Sequence, residues 1–152
     1  MTESSSRGHY FDEFEIGEEY ISPGRTVTEA DVVAFAALSG DYNQLHTDAE
    51  FAKTTPFGAR IAHGLLGLAV ASGLGGRVGF IEGTALAFMG LEWKFAKPIF
   101  LGDTVSLKAK VARKKPLGDQ AGIVVFQAAL VNQKGETTQR GEWTVLVARK
   151  GQ

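Results

Sequence analysis

The chain has 152 residues, 44% apolar and 22% charged, with a formal net charge of −1. That is the make-up of one ordinary globular domain, with neither the charge bias of a nucleic-acid binder nor an apolar run of the roughly 18 residues that cross a membrane. No cysteine is present, which excludes disulfides, thiolate metal sites and a cysteine nucleophile and fits a reducing, cytoplasmic setting.

Residues 1–10 read as a flexible polar tail, without the apolar stretch of a signal peptide, and residues 11–150 as a single domain. Phe11 to Gly24 reads as an extended leading segment. Thr28 is a good N-cap, with Glu29 and Asp31 in the first turn to suit the helix dipole. Val32, Phe35, Ala36 and Leu38 then repeat at helical spacing up to Gly40, a natural stop. The next residues, Asp41 to Thr47, fall in a loop. Asp48 caps a short helix from Ala49 to Lys53, and Thr54 to Ala59, with Pro56 and Gly58, is a loop. From His63 the chain reads as a second helix, apolar nearly all round, which must be buried on most faces; Gly75-Gly76 ends it.

Beyond residue 80 the period changes from helix to strand. Ala85–Phe95, Thr104–Arg113, Ile123–Asn132 and Thr137–Ala148 are rich in β-branched and aromatic residues and are separated by turn signals. Four strands in series with short turns make an antiparallel sheet. With one wholly apolar helix to cover, the sheet must curl round it, an α+β arrangement.

Two short stretches carry chemistry. Ser39-Gly40-Asp41-Tyr42-Asn43-Gln44-Leu45-His46 places a carboxylate, an amide and an imidazole within six residues. On a regular helix Asp41 and His46 would stand about 140° apart; in a loop they can converge on one water and exchange protons with it. Asn43 lies between them and can tie the loop together. The second stretch, Ile61-Ala62-His63-Gly64, opens the apolar helix. The first N–H groups of a helix lack intrahelical acceptors, so Gly64 can present a donor to a carbonyl oxygen gaining negative charge, and its missing Cβ permits close approach. Ser72 lies two turns on, on nearly the same side, where its hydroxyl could position a water or a thioester. Taken singly, each has an ordinary structural role: a loop cap, a hydrogen-bonded histidine, a hydroxyl bonded back to its own helix. The pattern gains its force jointly.

Other motifs are weaker. The run Gly73 to Gly79 misses the dinucleotide fingerprint by one position and follows a helix rather than a strand. Asp41, Asn43, His46 and Asp48 lack calcium-loop spacing, so no metal site is expected. Lys108, Lys110, Arg113, Lys114 and Lys115 read as the solvated face and end of a strand.

These residues resemble a known family. Ser39-Gly40-Asp41-Tyr42-Asn43-Gln44-Leu45-His46-Thr47-Asp48, followed by Phe57-Gly58-Ala59-Arg60-Ile61-Ala62-His63-Gly64, is similar to the motifs of the MaoC-like dehydratases, which include the (R)-specific enoyl-CoA hydratases. Lys94 to Asp103 resembles the strand and turn of the same family, and the likeness covers about residues 15–148. It implies a hotdog fold, an antiparallel sheet wrapped round a long helix, paired into homodimers or larger assemblies. It implies a coenzyme A or acyl-carrier thioester as substrate and no cofactor. By this resemblance Asp41 and His46 are the pair that activates water, and Gly64 is the amide donor to the thioester carbonyl. Asn43 is the motif asparagine, Ser72 is a supporting serine and His63 belongs to the substrate-binding set. Gln44 replaces the family's proline, and Leu65 its common methionine. The expected reaction is hydration of a 2-enoyl thioester to the 3-hydroxyacyl thioester, of (R) configuration by resemblance only. A hotdog thioesterase and a non-catalytic acyl-CoA-binding module are the rivals. The acyl tunnel is expected along the residues after Gly64, Tyr42 and Phe80–Met89.

Overall fold

The structure, a computed structural model, describes residues 8–151. In chain order a 3-10 turn (Phe11–Glu13) leads to strands β1 (Glu19–Ile21) and β2 (Arg25–Thr26). Helices α1 (Glu29–Ser39), α2 (Gln44–Thr47), α3 (Ala49–Lys53) and α4 (Gly64–Val78) follow. Strands β3 (Ala85–Phe95), β4 (Thr104–Leu117), β5 (Ala121–Val131) and β6 (Thr137–Ala148) complete the chain. The sheet is antiparallel, in the order β1-β4-β5-β6-β3, and β2 pairs with the start of β4.

Period-two patterning decides which face of this sheet is buried. Val105, Leu107, Ala109 and Val111 of β4 point inward, and Lys108 and Lys110 between them are exposed. Val124, Phe126, Ala128 and Leu130 of β5 and Trp143, Val145 and Val147 of β6 continue the same inner face. Register shifts in β4–β5 and β3–β6 are the irregularities that let a sheet bend. Helix α4 fills the hollow. Its buried positions, Leu66, Gly67, Val70, Ala71, Leu74 and Gly75, form pairs four residues apart, a stripe that stays on one side of a helix. This is the expected α+β, sheet-round-helix arrangement.

Several details depart from the sequence expectation. Helix α4 does not stop at Gly75-Gly76 but runs to Val78 and closes on Gly79, whose φ of 82° makes the left-handed cap. Gly75 is buried inside the helix against Leu107 and Trp143, where an added Cβ would stand at ordinary contact distance, 3.5 Å, from both. Nor is α4 buried on most faces, since Leu65 remains 61% exposed. In α1, Val32 and Ala36 are buried but Leu38 is exposed, so the inward stripe is narrower than its apolar spacing suggests. The leading segment is not simply extended: it holds the 3-10 turn, and β1 and β2. Of the tail expected over residues 1–10, residues 1–7 lie outside the described residues, while Gly8 and His9 donate backbone hydrogen bonds to Glu82 and Phe80. Among the described residues no helix is long and apolar enough to cross a membrane.

Gly141 of β6 leaves no room for a side chain beside β3: an added Cβ would stand 1.8 Å from the Glu92 carbonyl oxygen. Backbone cannot swing aside as a side-chain tip can. Gly141→Ala is expected to cost about 1–3 kcal/mol or more as overpacking, which lowers the thermal midpoint by roughly 3–10 °C at this chain length; differential scanning fluorimetry reads it.

Candidate active site

Asp41 owes its place to the end of α1. Gly40 takes the left-handed conformation, φ 77°, and closes the helix on Ala36. The chain then turns through a local web of hydrogen bonds. The Asp41 N–H reaches Ser39 Oγ at 3.1 Å, and the Asn43 N–H reaches Asp41 Oδ1 at 3.1 Å. Asn43 caps α2, its Oδ1 accepting from the Leu45 N–H at 3.0 Å. Thr47 Oγ1 donates back to the carbonyls of Tyr42 and Asn43. The segment expected to be a loop thus contains a one-turn helix, α2. Asn43 makes it, because its side chain satisfies a first-turn N–H that a bare loop would leave open.

On that turn sits His46, half-buried. Its Nδ1 lies 2.8 Å from the Ile61 carbonyl. A carbonyl only accepts, so Nδ1 carries the hydrogen and, in the neutral ring, Nε2 keeps the lone pair. The backbone carbonyl of His46 is itself held, by Arg60 Nε at 2.7 Å. Arg60 also forks onto Glu29 of α1 at 2.7 and 3.1 Å. One guanidinium therefore joins α1 to the turn that carries His46.

His63 completes the cluster from the other side. It is the N-cap of α4 and is buried, with Nε2 2.8 Å from the Asp41 carbonyl oxygen. Its ring stacks on His46 at 3.9 Å between centroids and meets Phe35 at 4.9 Å. A carboxylate oxygen of Asp41 and ring nitrogens of His46 and His63 all fall within 4.8 Å of one another. These are also the groups that could approach a cation. The two imidazole planes differ by only 29°, however, and in-plane lone pairs on stacked rings do not converge on one ion without a ring turning.

Gly64 is the first residue of α4, so its N–H has no partner four residues back. Gly64 itself lines a cleft of about 590 Å³, together with Phe35, Asp41, His46, His63, Leu65 and Phe95. The size is that of a small-molecule site. A Cβ at position 64 would stand 2.9 Å from the Phe95 ring. A second cavity, of about 310 Å³, shares His46, Gly64 and Phe95 with the first and is otherwise mainly apolar, with Phe57, Ile61, Pro98 and Ile99.

Asp41, His46, His63 and Gly64 are thus brought together, and Asn43 supports them without facing the cleft. Ser72 is not: it is exposed, and its hydroxyl donates to the Ala69 carbonyl at 2.7 Å. The tunnel residues expected from sequence also part company. Phe80 is in the core, packed between Tyr20 and Phe126, and Tyr42 is exposed. Phe57, Phe95 and Pro98 form the walls instead. Arg60 was missed for a different reason. Its partners, Glu29 and the His46 carbonyl, lie 31 and 14 residues away, and nothing in the local sequence marks either.

With this geometry the comparisons with known proteins agree. The family profile described as "MaoC like domain" matches residues 13–132. The chain belongs to the MaoC-like family. It is 33% identical over 144 residues to an (R)-specific enoyl-CoA hydratase of Rhodospirillum rubrum, covering 94% of each chain. An unliganded R-hydratase of Pseudomonas aeruginosa superposes with a TM-score of 0.78 at 32% identity, over 93% of this chain and 86% of that one. A Mycobacterium tuberculosis protein described as a double hotdog fold superposes with a TM-score of 0.78 at 18% identity, over 94% of this chain and 45% of that one. The last likeness concerns the fold alone, and it is the hotdog fold.

Within this MaoC-like site the bond from Arg60 Nε to the His46 carbonyl is the most readily removed support. Arg60→Met keeps the apolar stem and deletes the donor. Since the Glu29 end is largely solvated and worth little, the expected loss is that of one charge-assisted bond, about 1.5–3 kcal/mol, read as a lower urea midpoint at unchanged m-value.

Proposed function

We propose that the chain is a hydro-lyase that adds water to the double bond of a trans-2-enoyl-CoA, or the corresponding acyl-carrier thioester, to give a 3-hydroxyacyl thioester. One observation carries this reading: the Asp41 carboxylate and the His46 ring meet beside the free N–H of Gly64 at a single cleft. The curated relatives support it by name. The (R) configuration of the product is part of the proposal and follows those relatives.

The geometry suggests how the work is divided. Asp41 Oδ1 is engaged by the Asn43 N–H, which leaves the second oxygen to accept one hydrogen of the water. His46 Nε2 takes the other proton as the water oxygen attacks the β-carbon. Electron density moves through the former double bond onto the thioester oxygen, where the Gly64 N–H and the α4 dipole stabilise it. The imidazolium beside Asp41 then returns its proton to the α-carbon. One proton leaves the water and one reaches the substrate, so the balance closes on a single shuttle and both additions come from one face. Neither a metal nor a redox group enters this proposal.

The test uses crotonyl-CoA and follows loss of the conjugated-enoyl absorbance. Asp41→Asn preserves the acceptor for Asn43, and His46→Asn preserves a donor for Ile61 while deleting the reacting nitrogen. Each is expected to lower kcat by about 10²–10⁴-fold. Release of free thiol in place of hydration would instead establish a thioesterase. Ligand binding without turnover, unchanged in both variants, would establish a binding module.

We also propose a homodimer. Strand β3 is a sheet edge with β6 as its neighbour, and Leu86, Phe88, Met89, Leu91 and Phe95 along it are all about half exposed, 48–58%. Long apolar edges left open template further pairing. Sedimentation is expected to give twice the chain mass of 16.3 kDa, and Phe88→Lys is expected to shift the population toward monomer.

A further inference from the structure

His63 is more completely buried than either member of the water-activating pair, with 2% of its surface exposed. Helix capping does not explain it, because its side chain makes no cap hydrogen bond. Its ring is clamped between Phe35 and His46 and aims Nε2 at the Asp41 carbonyl, while Nδ1 is buried without a partner. A buried nitrogen without a partner is costly. The ring's other contacts must offset that cost, and its hydrogen bond and both its ring contacts fall on the loop that carries Asp41 and His46 or on α1 just before it.

The backbone of the same residue is fixed as firmly. The His63 carbonyl accepts from the Gly67 N–H at 3.2 Å. The peptide linking His63 to Gly64 is planar and trans, so its N–H points away from its carbonyl. A carbonyl directed into the helix therefore directs the Gly64 N–H out of the helix end. One residue thus carries three geometric jobs: it orients the donor peptide, it holds the Asp41 backbone, and it backs the His46 ring.

We propose that His63 is a positioning residue that fixes the distance and angle between the Asp41–His46 pair and the Gly64 N–H, acting through the Asp41 carbonyl and the His46 ring rather than by touching substrate. The inference rests on the hydratase reading above and adds to it the element that keeps its two halves in register. Its physical basis is that a misplacement of about 1 Å between reacting groups can cost about 10²-fold in rate.

The substitutions follow from the atoms. His63→Phe keeps the flat ring between Phe35 and His46 but removes the donor to Asp41. His63→Gln loses the stack but places an amide N–H near the position of Nε2. Two readouts are taken on folded protein, checked by thermal unfolding. One is kcat and KM for crotonyl-CoA; the other is hydrogen–deuterium exchange over residues 40–47, which does not depend on turnover. His63→Phe is expected to lower kcat by about tenfold to 10²-fold with KM within about threefold, and to speed exchange across residues 40–47. His63→Gln is expected to recover most of the exchange protection and part of the kcat. A His63→Phe enzyme with the parent's kcat, or one slowed with no change in loop exchange, overturns the proposal. A parent protein that hydrates neither crotonyl-CoA nor longer trans-2-enoyl thioesters of coenzyme A or acyl carrier, but whose loop still loosens in His63→Phe and tightens in His63→Gln, supports the positioning role and overturns the hydratase reading instead.

Discussion

The seat of α4 against the sheet is the constraint from which the site follows. Helix α4 is poor on propensity alone. Gly67, Gly73, Gly75 and Gly76 lie in its interior, at about 1 kcal/mol each relative to alanine. Burial of Leu66, Val70 and Leu74 contributes about 1.5–3 kcal/mol each, so tertiary contact, not local preference, makes the helix. Gly67 is also what allows it to sit so close. A Cβ on Gly67 would stand 2.2 Å from Gln139 Nε2, and that amide instead donates to the Gly64 carbonyl at 3.0 Å while its oxygen accepts from Trp93 Nε1 at 2.8 Å. The sheet thereby holds the first turn of the helix by a polar contact as well as an apolar one, and the position of the Gly64 N–H is fixed by residues from β3 and β6.

The other half of the site is held by short-range polar wiring. Between Ser39 and Thr47 side-chain atoms of Ser39, Asp41, Asn43 and Thr47 each meet a backbone group of the same segment. Few of these bonds are buried, and each is worth only about 0.5–1.5 kcal/mol net. Their value is geometric. They use up the groups that might otherwise rotate and leave one carboxylate oxygen of Asp41 and one nitrogen of His46 uncommitted. The long-range ties, Arg60 to the His46 carbonyl, His46 to Ile61 and His63 to Asp41, then fix this segment to the strand-like stretch before α4.

Much of this was legible in the sequence, and the gaps have physical causes. The four long strands announced themselves through alternation and turn residues, and the α+β class followed. Residues Asp41, His46 and Gly64 stood out because carboxylate, imidazole and a helix-opening glycine are chemically distinctive at any spacing. The run of α4 past Gly75-Gly76 was hidden, because its continuation depends on tertiary packing, with Gly75 buried against Leu107 and Trp143, and not on the glycines themselves. Leu38 misled for the same reason: apolar spacing shows a candidate face but not whether anything covers it. Ser72 was placed correctly on its helix and wrongly toward the site. At about 100° per residue, eight residues from Gly64 carry the chain roughly 80° past two full turns, so Ser72 stands well round the helix, and a hydroxyl in an apolar helix has a ready acceptor in the carbonyl three or four residues back. The wall residues come from two segments far apart in sequence, Phe57 in the loop after α3 and Phe95 and Pro98 in the stretch that leaves β3, and no periodicity brings them together.

The departure at Gln44 illustrates how the loop keeps its shape without the family's proline. Proline at this place would restrict φ in the unfolded chain as well as the folded one, a gain of about 0.4–1 kcal/mol. Gln44 is the first residue of α2, the position at which a helix N–H has no intrahelical acceptor and proline loses nothing. Glutamine adds an N–H there, but Gln44 is exposed and water can take that donor, so what is lost is stiffness. The cap from Asn43, the two acceptors taken by Thr47 and the bond from the Asp48 N–H to the Gln44 carbonyl restore it locally. The clamp of His63 and the fork of Arg60 restore it from outside. A loop held by its neighbours rather than by its own covalent rigidity depends more on them, which makes the environment of α2, rather than α2 itself, the place where this chain sets the geometry of its reaction.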